Sequence, residues 1–348
     1  MEDFVLEKYF AASNSSEGFC SYYDEVFNPE KLYKIYVIKG GSGTGKAFFI
    51  KEIAKCAELN GFSVRYIYCS SDAESLDGIV INEQKIAVLD GTSPHVYEPK
   101  YIGAVESFVN LAEFLDERLL TSSRKLIENI SKEKQKGFKR AYRELRAYHS
   151  LSKNIEDMIY TCLKLDKMRK YAKRFADGMQ KEKGEEEHLL TRAIGMRGLS
   201  SFDTYFENAK IYYEINDYFE SAHFMMREIY LSMKEKNVNL RISNNPIIKE
   251  RKDALCAVNN GLTFEIGNRF DDDVRVINMK RFVDGDCIGK IRQEYRALAR
   301  ARDNILSLAL EEFENIKKYH FILEEIYGSA MNFEAKEQFT GEFCNKIF

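Results

Sequence analysis

The chain matches itself when displaced by 176 residues, and no other feature restricts its fold as much. Lys34-Ile35-Tyr36 falls on Lys210-Ile211-Tyr212, Phe48 on Phe224 and Glu52-Ile53 on Glu228-Ile229. Further along, Arg65 meets Arg241, Asp77 meets Asp253 and Gly91 meets Gly267, all without a gap. After a shortening of about nine residues, Ile159-Tyr160 meets Ile326-Tyr327. Self-similarity at one spacing marks two copies of a structural unit. In a chain of 348 residues each copy has the size of a domain. The stretch 180–188, QKEKGEEEH, is polar and charged and reads as a linker. The expected division is therefore 1–183, with a helical segment at about 115–180, and 189–348, with C-terminal helices.

Within the first copy, residues 35–39 (IYVIK) form a β-rich run. Glycines follow, and then an amphipathic run from Lys46 to Leu59 that Asn60-Gly61 closes. Ser63–Tyr68, Gly78–Ile81 and Ile86–Leu89 read as further strands, the last ended by Asp90. Strands alternating with a helix predict βαβ units. The expected fold class is α/β: a duplicated P-loop NTPase-like parallel sheet with flanking helices, plus long helical segments. From about Gly103 to Gln180 there are few glycines, no prolines and dense charge. That composition predicts long helices, as a hairpin with a break near Lys136-Gly137.

Gly40-Gly41-Ser42-Gly43-Thr44-Gly45-Lys46 fits G-x-x-x-x-G-K between a strand and a helix. Glycines let backbone N–H groups converge on phosphate oxygens where side chains would intrude. The following helix turns its N-terminal N–H groups and positive dipole end to the same anion. Lys46 adds a positive charge for the outer phosphates. The expected binding set is Gly40, Gly41, Ser42, Gly43, Thr44, Gly45, Lys46 and Ala47, with ATP as ligand. Ala47 stands where the motif calls for Ser or Thr, whose hydroxyl ligates magnesium. Triphosphate binding can survive that change, whereas magnesium dependence and hydrolysis are expected to be reduced.

Asp90, at the end of an apolar strand about 40 residues past the loop, is the expected metal-serving acid. Asp72 follows the second strand, where ligands of open α/β sheets gather. It can orient an attacking water or cap a helix over 73–76. His95, just past Asp90, is a further candidate for sensing the outer phosphate, with a turn histidine as the alternative. The expected catalytic set is Lys46, Asp90 and Asp72. The second copy has no such site: Asn216 to His223 hold no glycine, Ala222 stands where Lys46 stood, and Ile266 stands for Asp90.

No stretch approaches the roughly 18 apolar residues of a membrane span. The first residues, MEDFVLEKYF, lack the basic and apolar regions of a secretory signal. The seven cysteines form no C-x-x-C pair and read as thiols of a reducing cytoplasm. Net charge is −3, so whole-chain electrostatics select no partner, but residues 124–174 carry 16 Lys and Arg against 6 Asp and Glu.

Four stretches together resemble a bacterial family of uncharacterised P-loop ATPases, best known from clostridia and other Gram-positive spore formers. They are EGFCSYYD (17–24), IKGGSGTGK (38–46), YCSSDAESLDG (68–78) and VLDGTSPHVYEPKYIGAVE (88–106). The resemblance is close over 6–120 and only topological after 190. Members of that family look like tandem duplications with a P-loop in each half. The resemblance implies that Gly40 to Lys46 bind phosphate and that Asp90 serves the metal. This chain departs from the family at Ala47 and in its degenerate second repeat.

These readings predict an ATP-binding, cytoplasmic protein with weak or regulated hydrolysis. Its second repeat would bind no nucleotide and pack on the first or on another chain. A phosphotransferase with a basic helical lid is an alternative. So is a nucleic-acid-binding module that uses the basic segment with Phe138, Tyr142, Tyr148 and Tyr171, although a solvated helix face is the favoured reading of that segment.

Overall fold

The computed structural model describes residues 7–93, 97–269 and 273–348. The first copy begins with β1 (Glu7–Phe10), a hairpin of β2 (Ala12–Ser15) and β3 (Gly18–Ser21), and the short α1 (Tyr23–Val26). It continues with β4 (Lys34–Lys39), α2 (Lys46–Leu59), β5 (Val64–Tyr68), β6 (Leu76–Ile81), β7 (Ile86–Asp90) and β8 (Glu106–Asn110). Three helices follow: α3 (Glu117–Ser122), α4 (Arg124–Tyr160) and α5 (Leu165–Asp177). The second copy repeats this order. Its β9 is Glu186–His188, β10 Arg192–Gly195, β11 Gly198–Ser201, α6 Thr204–Glu207, β12 Ile211–Asn216 and α7 Ala222–Glu235. Then come β13 (Leu240–Asn244), β14 (Lys252–Ala257), β15 (Leu262–Gly267), β16 (Arg275–Asn278), α8 (Gly285–Ser329) and α9 (Phe333–Ile347).

Each copy builds a six-stranded sheet in the same order, β1-β5-β6-β7-β4-β8 and β9-β13-β14-β15-β12-β16. The sheets are mixed rather than parallel. β5, β6 and β7 pair antiparallel, as do β13, β14 and β15. The turns joining them, 69–75 and 82–85 in the first copy, are too short for the crossover a parallel pair needs. β4 remains parallel to both neighbours, β7 and β8. The stretch read as a linker supplies β9, an edge strand, at its end.

The self-match is gapped by one residue. Ile38 pairs with Asp90, and Ile215 pairs with Ile266, so β12 follows β4 at a spacing of 177. α2 and α7 keep the spacing of 176. The turn before α7 is thus one residue shorter than the glycine loop.

The two copies pack on each other as a pseudo-dimer, with reciprocal contacts of the kind a twofold interface makes. The Phe10 N–H donates to Leu190 O at 2.8 Å and the Leu190 N–H to Phe10 O at 3.0 Å. The Ser16 N–H donates to Ile247 O, and the Met196 N–H to Ser71 O. Arg65 bonds both Glu7 and Glu187, and Arg241 bonds both Glu187 and Glu7.

The helices cross between copies. Buried Ile130, Gly137, Ala141, Leu145, Ser152, Ile155 and Ile159 recur at spacings of three, four and seven along α4, a coiled-coil seam. α8 runs antiparallel against it, with Arg140 on Glu312 and Lys134 beside His320. The break expected at Lys136-Gly137 is absent. Gly137 lies inside a continuous helix because α8 passes there: a Cβ on it would sit 2.6 Å from Ile316. α5 then packs on α7 of the second copy, and α9 packs on α2 of the first. Phe49 of α2 lies 5.2 Å from the ring of Phe343 and 6.0 Å from that of Phe339. Truncating such a buried ring costs about 3–5 kcal/mol. The bridge Leu163–Val283 also brings Cys162 and Cys287 to a Cα separation of 5.5 Å, where they form a disulfide. For these two, the reading of seven free thiols does not hold.

Candidate functional site

The carboxyl ends of β4, β5 and β7 and the start of antiparallel β6 share one edge of the first sheet. That edge gathers the glycine loop after β4, Asp72 after β5, Asp77 on β6 and Asp90 on β7. They line a cavity of about 770 Å³. Its opposite wall comes from the long helices: Lys134 and Phe138 of α4, and His320 and Glu324 of α8. Met196, from the turn of the second copy's hairpin, also lines it. The cavity is therefore shared between copies.

The loop needs its glycines. Gly43 has φ +70°, and a Cβ there would collide with the backbone of Glu324 on α8. A Cβ on Gly41 would lie 2.8 Å from the Tyr327 ring. Gly45, at φ +75°, sets the start of α2. Thr44 is buried, and its hydroxyl donates to Gly41 O at 3.0 Å. The Lys46 ammonium donates to Gly41 O at 2.7 Å and lies 3.6 Å from the Asp90 carboxylate. Ala47 lines the cavity and offers it only a methyl group.

Asp90 accepts from the Thr92 N–H at 2.8 Å and the Thr92 hydroxyl at 2.6 Å. Burial raises its pKa, and the charge of Lys46 opposes the rise. Asp77 is fully enclosed. Burial pushes its carboxyl up to about 7, against hydrogen bonds from the Cys69 thiol and the Tyr23 hydroxyl. Its repeat partner, Asp253, has Arg192 at 3.6 Å.

Asp72 caps no helix, since 73–75 form a turn leading into β6. It pairs instead with Arg197 of the β10–β11 turn, which also holds Glu74 at 2.7 Å. Nothing local in the sequence pointed to Arg197. Lys336 of α9 was missed as well. It is buried beside Gly45, with its ammonium 4.2 Å from the centre of the Phe48 ring, and burial lowers its pKa. Met168 takes the matching place in the second copy. His95 lies outside the described residues.

A phosphate tail fits this chemistry: a glycine cradle, a helix N-terminus and lysines from two directions. Magnesium finds less. Among the described residues no group of three or more His, Cys, Asp or Glu is placed to hold a metal. Asp90 is the acid nearest Lys46, and Ala47 cannot ligate.

In the second copy the frame persists but the contents differ. Asp217 accepts from the Ala222 N–H at 2.9 Å, and Glu220, with φ +55°, pairs with Arg302 of α8. The aromatic residues of the basic segment are engaged in packing. Phe138, Tyr142 and Tyr148 lie against the core between the long helices, and Tyr171 against the second copy's core. No described helix is long and apolar enough to cross a membrane.

Compared with models of protein families, with curated proteins and with solved structures, the chain matches none of them.

Proposed function

We propose that the first copy binds a nucleoside triphosphate, ATP in the first instance, at residues 40–47, and hydrolyses it weakly or under control. One observation carries this reading. The glycine loop and Lys46 open into a cavity that Asp72, Asp77 and Asp90 border and that the second copy's helix roofs. The resemblance to duplicated P-loop ATPases supports the same reading, and with it the proposal that each copy is P-loop NTPase-like in fold. The same proposal puts the place of action in the cytoplasm, where ATP is abundant.

The roles follow from position. Loop N–H groups and the α2 N-terminus receive inner phosphates. Lys46 leaves its loop carbonyl for an outer phosphate and screens Asp90 from it. Asp90 would hold a magnesium ion through its water shell, and the bound metal would offset charge on the phosphates. Ala47 would give that metal no ligand. Asp72, fixed by Arg197, stands at the same edge to orient water.

Calorimetric titration of ATP, with and without magnesium and beside a turnover assay, tests the proposal. One ATP per chain, bound with little magnesium dependence and turned over slowly, is the expected result. Absence of ATP binding by the folded protein removes the reading. Brisk magnesium-dependent turnover removes the part assigned to Ala47.

A further inference from the structure

The two copies roof their loops with equivalent helices, and the closed copy shows what the roof reaches for. Leu115 bridges Met331, and Leu163 bridges Val283. The Asp116 N–H donates to Ala330 O and the Asp284 N–H to Cys162 O, both at 2.8 Å. These reciprocal contacts place 283 over 115 and 331 over 163. Lys134 of α4 therefore corresponds to Arg302 of α8.

Arg302 has an anion within its own chain. Its guanidinium binds Glu220, and the Tyr295 hydroxyl donates to the same carboxyl group at 3.3 Å. Glu220 stands in the turn before α7, at the place of Gly43 and Thr44 in the first copy. The degenerate turn thus hands a carboxylate to the roof.

The first copy's loop has no carboxylate to hand over. Lys134 lines the cavity with Lys46 and the glycines. Its ammonium meets Nδ1 of His320 at 3.0 Å, and His320 Nε2 lies 3.3 Å from Glu324. One of its three donors is directed to the imidazole, which leaves two. Burial pushes the ammonium below its usual value, Glu324 counters this, and the charge of Lys46 adds to it. Lys46 and Lys134 face the same cavity from opposite walls, and a multiply charged anion between them would meet both.

We infer that Lys134 binds a phosphate oxygen of the triphosphate tail, in the place that the Glu220 carboxylate takes at Arg302. This rests on the proposed phosphate site. It adds a ligand from the opposite wall, so that nucleotide binding ties α4 to the loop. It also sets the class of group recognised: the polyphosphate tail rather than the base.

The test titrates ATP and inorganic tripolyphosphate into wild type, Lys134→Ala, Lys134→Met, Lys134→Arg and Lys46→Ala, with melting of each ligand-free protein. Loss of a charge-assisted hydrogen bond should weaken both ligands about 10- to 100-fold in the Ala and Met variants. Arg keeps the charge and should stay within about threefold of wild type. The ligand-free melting temperature should not fall in Lys134→Met, which retains the apolar stem. Wild-type affinity in Lys134→Met beside weakened Lys46→Ala overturns the role of Lys134 and leaves the site standing. Wild-type affinity in both, or no binding by wild type, overturns the site and the inference together. Loss for ATP but not for tripolyphosphate also overturns the inference, because the contact is then to the nucleoside.

Discussion

The first copy joins its central strand to its helix through Gly40-Gly41-Ser42-Gly43-Thr44-Gly45, and the second through Asp217-Tyr218-Phe219-Glu220-Ser221. The sheet order on either side is the same. One turn is built of glycines and opens into a cavity; the other carries carboxylates and rings. The difference teaches that the frame does not depend on a phosphate loop. In the second copy an internal ion pair does the closing that the proposed ligand would do in the first.

The largest effect expected of that contrast is on stability. Arg302→Ala strands Glu220 in a mostly enclosed site, and breaking a buried pair from one side costs about 3 kcal/mol. Urea unfolding measures it. An unchanged midpoint would break the comparison, because the second loop would then need no closing pair. Next comes affinity. Lys46→Ala should lose about 2 kcal/mol of ATP binding by calorimetry while the fold persists. Wild type should bind one triphosphate per chain; a second site that survives Lys46→Ala would show that the degenerate loop still binds.

Asp77 and Asp253 sharpen the contrast through pH. Asp77 titrates near 7 in the folded protein, above its usual value near 4, so the folded state holds its proton more tightly. The stability this confers is complete below about pH 4 and is lost as pH rises through 7. Asp77→Asn should flatten that decline by about 1–2 kcal/mol, read from unfolding at pH 5 and pH 8. The same change at Asp253, which has Arg192 beside it, should flatten it less. An equal effect at both positions would contradict the role given to that arginine. The smallest binding effect is expected at Ala47. Ala47→Ser should shift ATP affinity by less than about 1 kcal/mol without magnesium, and raise magnesium dependence and turnover with it. No gain in turnover means that other catalytic parts are missing too.

Local features were legible in the sequence where local chemistry sets the structure. The helix read from Lys46 to Leu59 has those bounds, because a glycine cap opens it and Asn60-Gly61 closes it. β5 and β7 sit where β-branched and apolar runs stand. Partnership was not legible. The charge and periodicity of 124–160 announce a helix, but nothing in them says that its partner is α8. The mixed sheet follows from the short connections 69–75 and 82–85, which leave no room for a parallel crossover. In the site, the loop, Asp90 and Asp72 share an edge because neighbouring strands end there. Lys134, Arg197, His320 and Glu324 reach it from distant segments, and only the tertiary packing brings them to it.

The exchange of helices between copies bears on how the protein is made. α2 carries the loop, yet the aromatic cover of its apolar face, Phe339 and Phe343, belongs to α9. A chain growing from the ribosome lacks the α9 rings that cover Phe49 until that helix has emerged. The glycine loop is translated before α8 and α9, whose residues complete its cavity. A nascent first copy therefore lacks this cover through the synthesis of the second.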